Sequence, residues 1–232
     1  MGGSAHAPNR VRPSPPAPPS LQEIFRDSRF VIVNKPAGLA VHPGPRGGPS
    51  VEDYFRDLSR RRNGPWLAHR LDADTAGCLV IALTKTALLE AQAAFTSGTA
   101  EKTYWAIVQG SPGETAGTVT APLLKKSASA GWRMVIDPAG QTGVSDWRLL
   151  GQANGQSLLE VRPRTGRTHQ VRVHCAALGC PIVGDAVYGD GNGMLHLLAR
   201  SITLPLDPPL HATAPVPAHM AGAVAAVESA SF

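Results

Sequence analysis

From Lys102 to Arg162 the chain reads as one strand after another, near 102–108, 117–121, 132–137, 143–150 and 157–162, without a regular alternation of strand and helix. That succession, with no internal repeat, points to an α+β domain whose mixed, mostly antiparallel sheet is flanked by helices and loops. The first of these segments has the period of two expected of a strand, with Tyr104 and Ala106 on one face and Trp105 and Ile107 on the other. Upstream, Phe30 to Val33 reads as a strand ended by Lys35-Pro36, and further strands are expected near 66–68, 78–83 and 195–200.

Three helices are expected. Ser50 caps the first, with Asp53 three residues on and Val51, Tyr54, Phe55 and Leu58 at i, i+3, i+4 and i+7, and Asn63-Gly64-Pro65 ends it. The second runs from about Lys85 to Thr96 between Thr84 and Gly98, and the third from His169 to Leu178 with Gly179 as its stop. At 232 residues, 43% of them hydrophobic, the chain has enough core for one domain over residues 21–222. Residues 1–20 hold six prolines among small and basic residues and are expected to form a disordered tail, and 223–232 a flexible end.

A net charge of +5 is too modest to identify a partner. Its distribution says more: Arg56, Arg60, Arg61, Arg62 and Arg70 are opposed only by Asp57 and Asp72, and Arg162, Arg164, Arg167 and Arg172 only by Glu160. A solvated face is the plain reading of the first cluster, phosphate recognition the sharper one. Three cysteines, Cys78, Cys175 and Cys180, argue against a disulfide framework and for a reducing compartment. No apolar run approaches a membrane span and no signal-peptide stretch opens the chain, so a cytoplasmic, monomeric protein is expected.

The run His69-Arg70-Leu71-Asp72-Ala73-Asp74-Thr75-Ala76-Gly77 sets an acid beside a permanent cation at a turn, just before a strongly apolar strand. Asp72 and Asp74, two apart, could suggest paired-carboxylate glycoside hydrolysis, but such acids usually come from separate elements. No Walker loop, Rossmann fingerprint, Cys-x-x-Cys or His-Glu-x-x-His is present, and His169 and His174, five apart, do not converge on a metal. No metal and no nucleotide or other cofactor is expected.

The His-Arg-Leu-Asp block resembles the catalytic signature of the RluA-type pseudouridine synthases, with Ala76 where the family has serine. Further blocks match in the family's order: Val33-Asn34-Lys35-Pro36-Ala37-Gly38 with Val41-His42-Pro43, Lys102-Thr103-Tyr104-Trp105-Ala106, Arg164-Thr165-Gly166-Arg167-Thr168-His169-Gln170-Val171-Arg172-Val173-His174, and Gly184-Asp185-Ala186-Val187-Tyr188-Gly189. The resemblance spans roughly residues 25 to 210, and the S4-type domain that many relatives carry is not expected here.

By this resemblance the chain isomerises uridine to pseudouridine in structured RNA, ribosomal or transfer, with no cofactor. Asp72 is then the catalytic acid, attacking ribose C1′ or taking the proton from C2′, and either role needs it ionised. Arg172 maps onto the cation that favours the ionised form, with Arg167 a weaker candidate for that and a better one for phosphate. Tyr104 maps onto the tyrosine that stacks on the target uracil, and Arg70 onto the residue that fills the space of the flipped-out base, unless it pairs with Asp72 or Asp74. Lys35-Pro36 and Tyr188-Gly189 read as structural landmarks. The rival reading is an RNA-binding protein of the same fold with impaired catalysis, Ala76 being the departure that would favour it.

Overall fold

The computed structural model describes residues 20–44, 47–128 and 131–230. Its strands are β1 (Gln22–Arg26), β2 (Phe30–Lys35), β3 (Trp66–Leu67), β4 (Ala76–Ala82), β5 (Glu101–Gln109), β6 (Ala116–Ala128), β7 (Gly131–Ile136), β8 (Gln141–Ala153), β9 (Gln156–Pro163), β10 (Leu197–Leu204) and β11 (Leu210–Thr213). The helices are α1 (Phe55–Leu58), preceded by a 3₁₀ turn over Val51–Tyr54, α2 (Lys85–Ser97), α3 (Gln170–Ala177) and α4 (Ala218–Ala230). All strands join one sheet in the order β1-β2-β4-β10-β5-β9-β8-β6-β7, with β3 on β4 and β11 on β10. Only β10 and β4 run parallel among the described pairs, so the sheet is mixed and mostly antiparallel as expected.

β4, near the middle of the sheet, is apolar and buried at every position because both of its faces are covered. On one face Phe30, Ile32, Cys78, Val80, Ile107, Leu158 and Leu198 pack against Ala87, Leu88 and Ala91 of α2 and Met220, Val224 and Val227 of α4. On the other the core is divided. Val31, Val33, Leu79 and Ile81 meet Val51, Tyr54, Leu58 and Leu71, whereas Ala106, Val108, Leu159 and Val161 meet Val171 and Cys175 of α3. Tyr104 touches both halves, at the seam where the functional cleft opens.

Two expectations need correction. The Ser50 helix stops at Leu58 instead of running to Asn63, because Ser59, Arg60, Arg61 and Arg62 supply no further apolar anchor and Ser59 turns extended. The C-terminal stretch expected to be flexible from 223 forms α4 as far as Ala230, held by Met220, Val224 and Val227 at i, i+4 and i+7. The edge strands β1 and β11 went unread, both being short, with β1 largely exposed and only β11 alternately so. The expected Pro-rich tail lies, up to residue 19, outside the described residues. All three cysteines are free and buried.

Candidate active site

The His69–Thr75 loop is clamped on both sides of its exposed tip. Leu71 and Thr75 are buried, and the Thr75 amide donates to the Asp72 carbonyl at 3.1 Å. The Ala73 carbonyl accepts from the Gly38 amide (2.9 Å) and from Lys35 Nζ (2.7 Å). Lys35, fully buried, also donates to the carbonyls of Leu39 (2.7 Å) and Pro36 (2.9 Å), so three acceptors meet its three protons. Burial pulls its ammonium down to about 7 against the opposing pull of Asp74 and Asp72. At the loop's other end His69 Nε2 accepts from the Val80 amide at 3.0 Å, and burial, then the charge of Lys102, brings its pKa to about 4. Gly77 follows at φ 111°, where a Cβ would lie 2.3 Å from the Ala199 carbonyl oxygen, so the parallel contact of β4 with β10 needs glycine there.

Across the cleft, the loop between β9 and α3 is tied to β8 by buried Gln170. Its Nε2 donates to the Val144 carbonyl (3.0 Å) and Ser145 Oγ (2.8 Å), while its Oε1 accepts from Thr165 Oγ1 (2.6 Å) and the Arg167 amide (3.0 Å). This fixes the start of α3 and hence Arg172, one turn in. The buried guanidinium is held by Asp185 through two parallel bonds, Nε to Oδ2 at 2.8 Å and Nη2 to Oδ1 at 2.7 Å. Asp185 Oδ1 also accepts from the amides of Val187 (2.9 Å) and Tyr188 (3.1 Å). Burial opposes ionisation of Asp185, but the Arg172 hydrogen bonds and charge outweigh it and hold the carboxyl below its usual range.

The remaining guanidinium nitrogen, Nη1, faces the His69–Thr75 loop. It lies 3.6 Å from Asp72 Oδ2 and 3.1 Å from His169 Nε2, which is itself 3.7 Å from Asp72 Oδ2. Tyr188 completes the group, with its ring 5.3 Å from the guanidinium carbon and its hydroxyl 3.0 Å from His169 Nδ1. Asp72, His169 and Arg172 line an open cleft of about 710 Å³. Among the described residues its lining has one carboxylate, Asp72, and five cationic side chains, Arg70, Lys102, Arg164, Arg167 and Arg172. Tyr104 forms part of the wall; burial, and then the Asp72 charge, push its phenol above the ordinary range. Such a cleft can take a polyanion and set one carboxyl group against a small neutral ring.

All five residues singled out from the sequence, Asp72, Arg70, Tyr104, Arg172 and Arg167, therefore line one cleft. Arg172 is not a helix-surface side chain but a buried one, and its hydrogen-bonded partner is Asp185. Arg70 is exposed and, among the described residues, has no ion pair with Asp72 or Asp74. Arg167 is exposed, donating to the Thr142 carbonyl at 3.3 Å. Asp74 and Ala76 do not line the cleft, and Ala76 is packed in the core beneath α2, so the departure there removes no group from the cleft. Arg60, Arg61 and Arg62 are exposed outside it, and the second arginine cluster is opposed by Asp146 as well as Glu160, since Asp146 takes Arg164 at 2.6 Å. The sequence reading passed over His169, Gln170 and Asp185. All three stand in quoted motif blocks, but only the fold shows what they hold.

A family model described as RNA pseudouridylate synthase matches residues 29–177. A Zymomonas mobilis protein named as an uncharacterized RNA pseudouridine synthase is 41% identical over 203 residues, covering 84% of this chain and 93% of its own. A Vibrio cholerae protein named ribosomal large subunit pseudouridine synthase C is 34% identical over 190 residues, 78% of this chain but 60% of that longer protein. Among solved structures, human RNA pseudouridylate synthase domain containing 4 superposes with a TM-score of 0.76 at 27% identity, over 89% of this chain and 93% of that one.

Proposed function

The chain belongs to the RNA pseudouridylate synthase family and is an RNA uridine isomerase, and on that premise we propose that it modifies particular uridines of structured ribosomal or transfer RNA with Asp72 as its single catalytic carboxylate. The observation that carries this reading is that Asp72 is the one acid among the described residues lining a cleft otherwise rich in cations. The reaction breaks the bond from uracil N1 to ribose C1′, turns the base and rejoins it through C5. It needs no electron, phosphate or water, and so no cofactor.

An ionised Asp72 serves either route, as nucleophile at C1′ or as base at C2′. Arg172 Nη1 stands 3.6 Å from the Asp72 carboxylate, and its two bonds to Asp185 hold the guanidinium in place. Tyr104 offers a ring for the uracil to stack on once the nucleotide has left its helix. Arg70, exposed at the rim, suits the space that base vacates, and Arg164, Arg167 and Lys102 suit flanking phosphates. We read the protein as a monomer working in the cytoplasm, a reading supported by three free thiols and by the finding that no helix of the described residues is long and apolar enough to cross a membrane. Deleting the gene and mapping pseudouridines in total RNA, by a chemical tag that arrests reverse transcription, should reveal a site lost from ribosomal or transfer RNA. An unchanged map in both would contradict the proposal.

A further inference from the structure

His169 caps α3 in the left-handed region, with φ 53°, a conformation that residues other than glycine rarely adopt and that gathers at functional sites. Its ring sits at the meeting point of the catalytic loop, α3, the loop after α3 and the β6–β7 hairpin. A guanidinium can only donate, so His169 Nε2, 3.1 Å from Arg172 Nη1, must present its lone pair. The ring proton is then on Nδ1 and is given to the Tyr188 hydroxyl, which also accepts from the Met134 amide at 2.9 Å. Trp132 stacks on the ring at 4.8 Å and is itself covered by Lys125 Nζ at 4.5 Å.

We propose that His169 is a positioning residue of the isomerisation: neutral, it engages Arg172 Nη1 and leaves the Asp72 carboxylate free for the ribose, and protonated, it becomes a donor to Asp72 and withdraws it. The inference rests on Asp72 being the reacting acid. Nη1 is the only guanidinium nitrogen not committed to Asp185, and His169 Nε2 stands within reach of both it and Asp72 Oδ2. One added proton therefore reverses the ring's role without moving any backbone. The charged and titratable groups around it are Asp72 and Asp74 of the catalytic loop, Arg172 of α3, Asp185 and Tyr188 of the following loop, and Lys125 beyond Trp132. Burial lowers the imidazole pKa, Asp72 opposes that and Arg172 adds to it, which favours the neutral ring at neutral pH.

His169→Asn tests this, because asparagine tolerates the left-handed backbone and supplies an amide but cannot take the proton. Single-turnover release of tritium from C5-labelled uridine should show the variant's acid limb displaced by a pH unit or more relative to wild type, with RNA affinity within threefold. A merely structural role would lower the rate equally at every pH, and an acid limb left in place overturns the proposal. Nitrogen-15 spectra of the wild-type histidines give a second reading that needs neither variant nor turnover. They should show the Nδ1–H tautomer for His169 at pH 7.5, and an Nε2–H or doubly protonated ring there overturns it. If the wild type releases no tritium from any RNA, the functional reading fails, and the tautomer still decides the inference.

Discussion

Replacing Asp185 by asparagine should be among the most damaging single changes in this protein, although Asp185 does not line the cleft. Its side chain is fully buried and accepts four hydrogen bonds, two from Arg172 at 2.8 and 2.7 Å and two from the Val187 and Tyr188 amides. An asparagine there turns an amide hydrogen toward the guanidinium and leaves Arg172 without its buried counter-charge, a break that costs about 3–5 kcal/mol. Set against a total stability of about 5–15 kcal/mol, that is a large share. For a domain of this size it corresponds to a fall in Tm of about 6–20 °C. The pH dependence has a definite sign. The folded pKa of Asp185 lies below its unfolded value, so its stabilisation is full above about pH 4 and is lost as pH falls through the folded value. The gap between wild type and Asp185→Asn should therefore close in acid. Replacing the pair together, Arg172→Met with Asp185→Leu, should give a chain more stable than either single variant, because no buried charge is left unmatched, yet inactive. Urea unfolding at pH 7.5 and at a series of values falling from pH 4 measures all of this. A loss below about 1 kcal/mol for Asp185→Asn, or additive single effects, would refute the reasoning.

Among the described residues neither ring nitrogen of buried His174 has a hydrogen-bond partner, and burial depresses its pKa to about 4. The unfolded chain takes up that proton first as pH falls from about 6.5, so wild-type stability should drop toward pH 4 by up to about 3 kcal/mol on this account. His174→Leu should flatten the drop, and equal slopes in urea unfolding across pH would refute it. Reversing Arg60, Arg61 and Arg62 to glutamate should weaken RNA binding and flatten its salt dependence, since fewer counterions are released. An unchanged slope would return these residues to solvated surface.

β5 was legible from the alternation of Tyr104 and Ala106 with Trp105 and Ile107, β4 from its short apolar run, and the helix caps at Thr84 and Gly98 announce α2 on both sides. The site was legible where a residue touches the cleft. Asp72, Tyr104 and Arg172 stand in blocks whose residue types fit the chemistry. What the sequence did not yield is the support behind them. Asp185 lies thirteen residues beyond Arg172 and meets it only because the chain leaves α3 and turns back. Trp132 reaches His169 from a hairpin that nothing in the local pattern aims there. The left-handed backbone at His169 has no signal of its own, since the residue reads equally well as the first of a helix. Likewise the three apolar residues of α4 are spaced as a helix should be, but six alanines among its thirteen residues leave little contrast between its faces.

Asp72→Asn on a folded substrate RNA labelled with tritium at C5 of the target uridine tests the central claim most directly. Rejoining the base at C5 releases that hydrogen, and the cations proposed to meet phosphate are other residues. The variant should bind RNA within a few fold of wild type and release no tritium above background. Release near the wild-type rate would remove Asp72 from the chemistry.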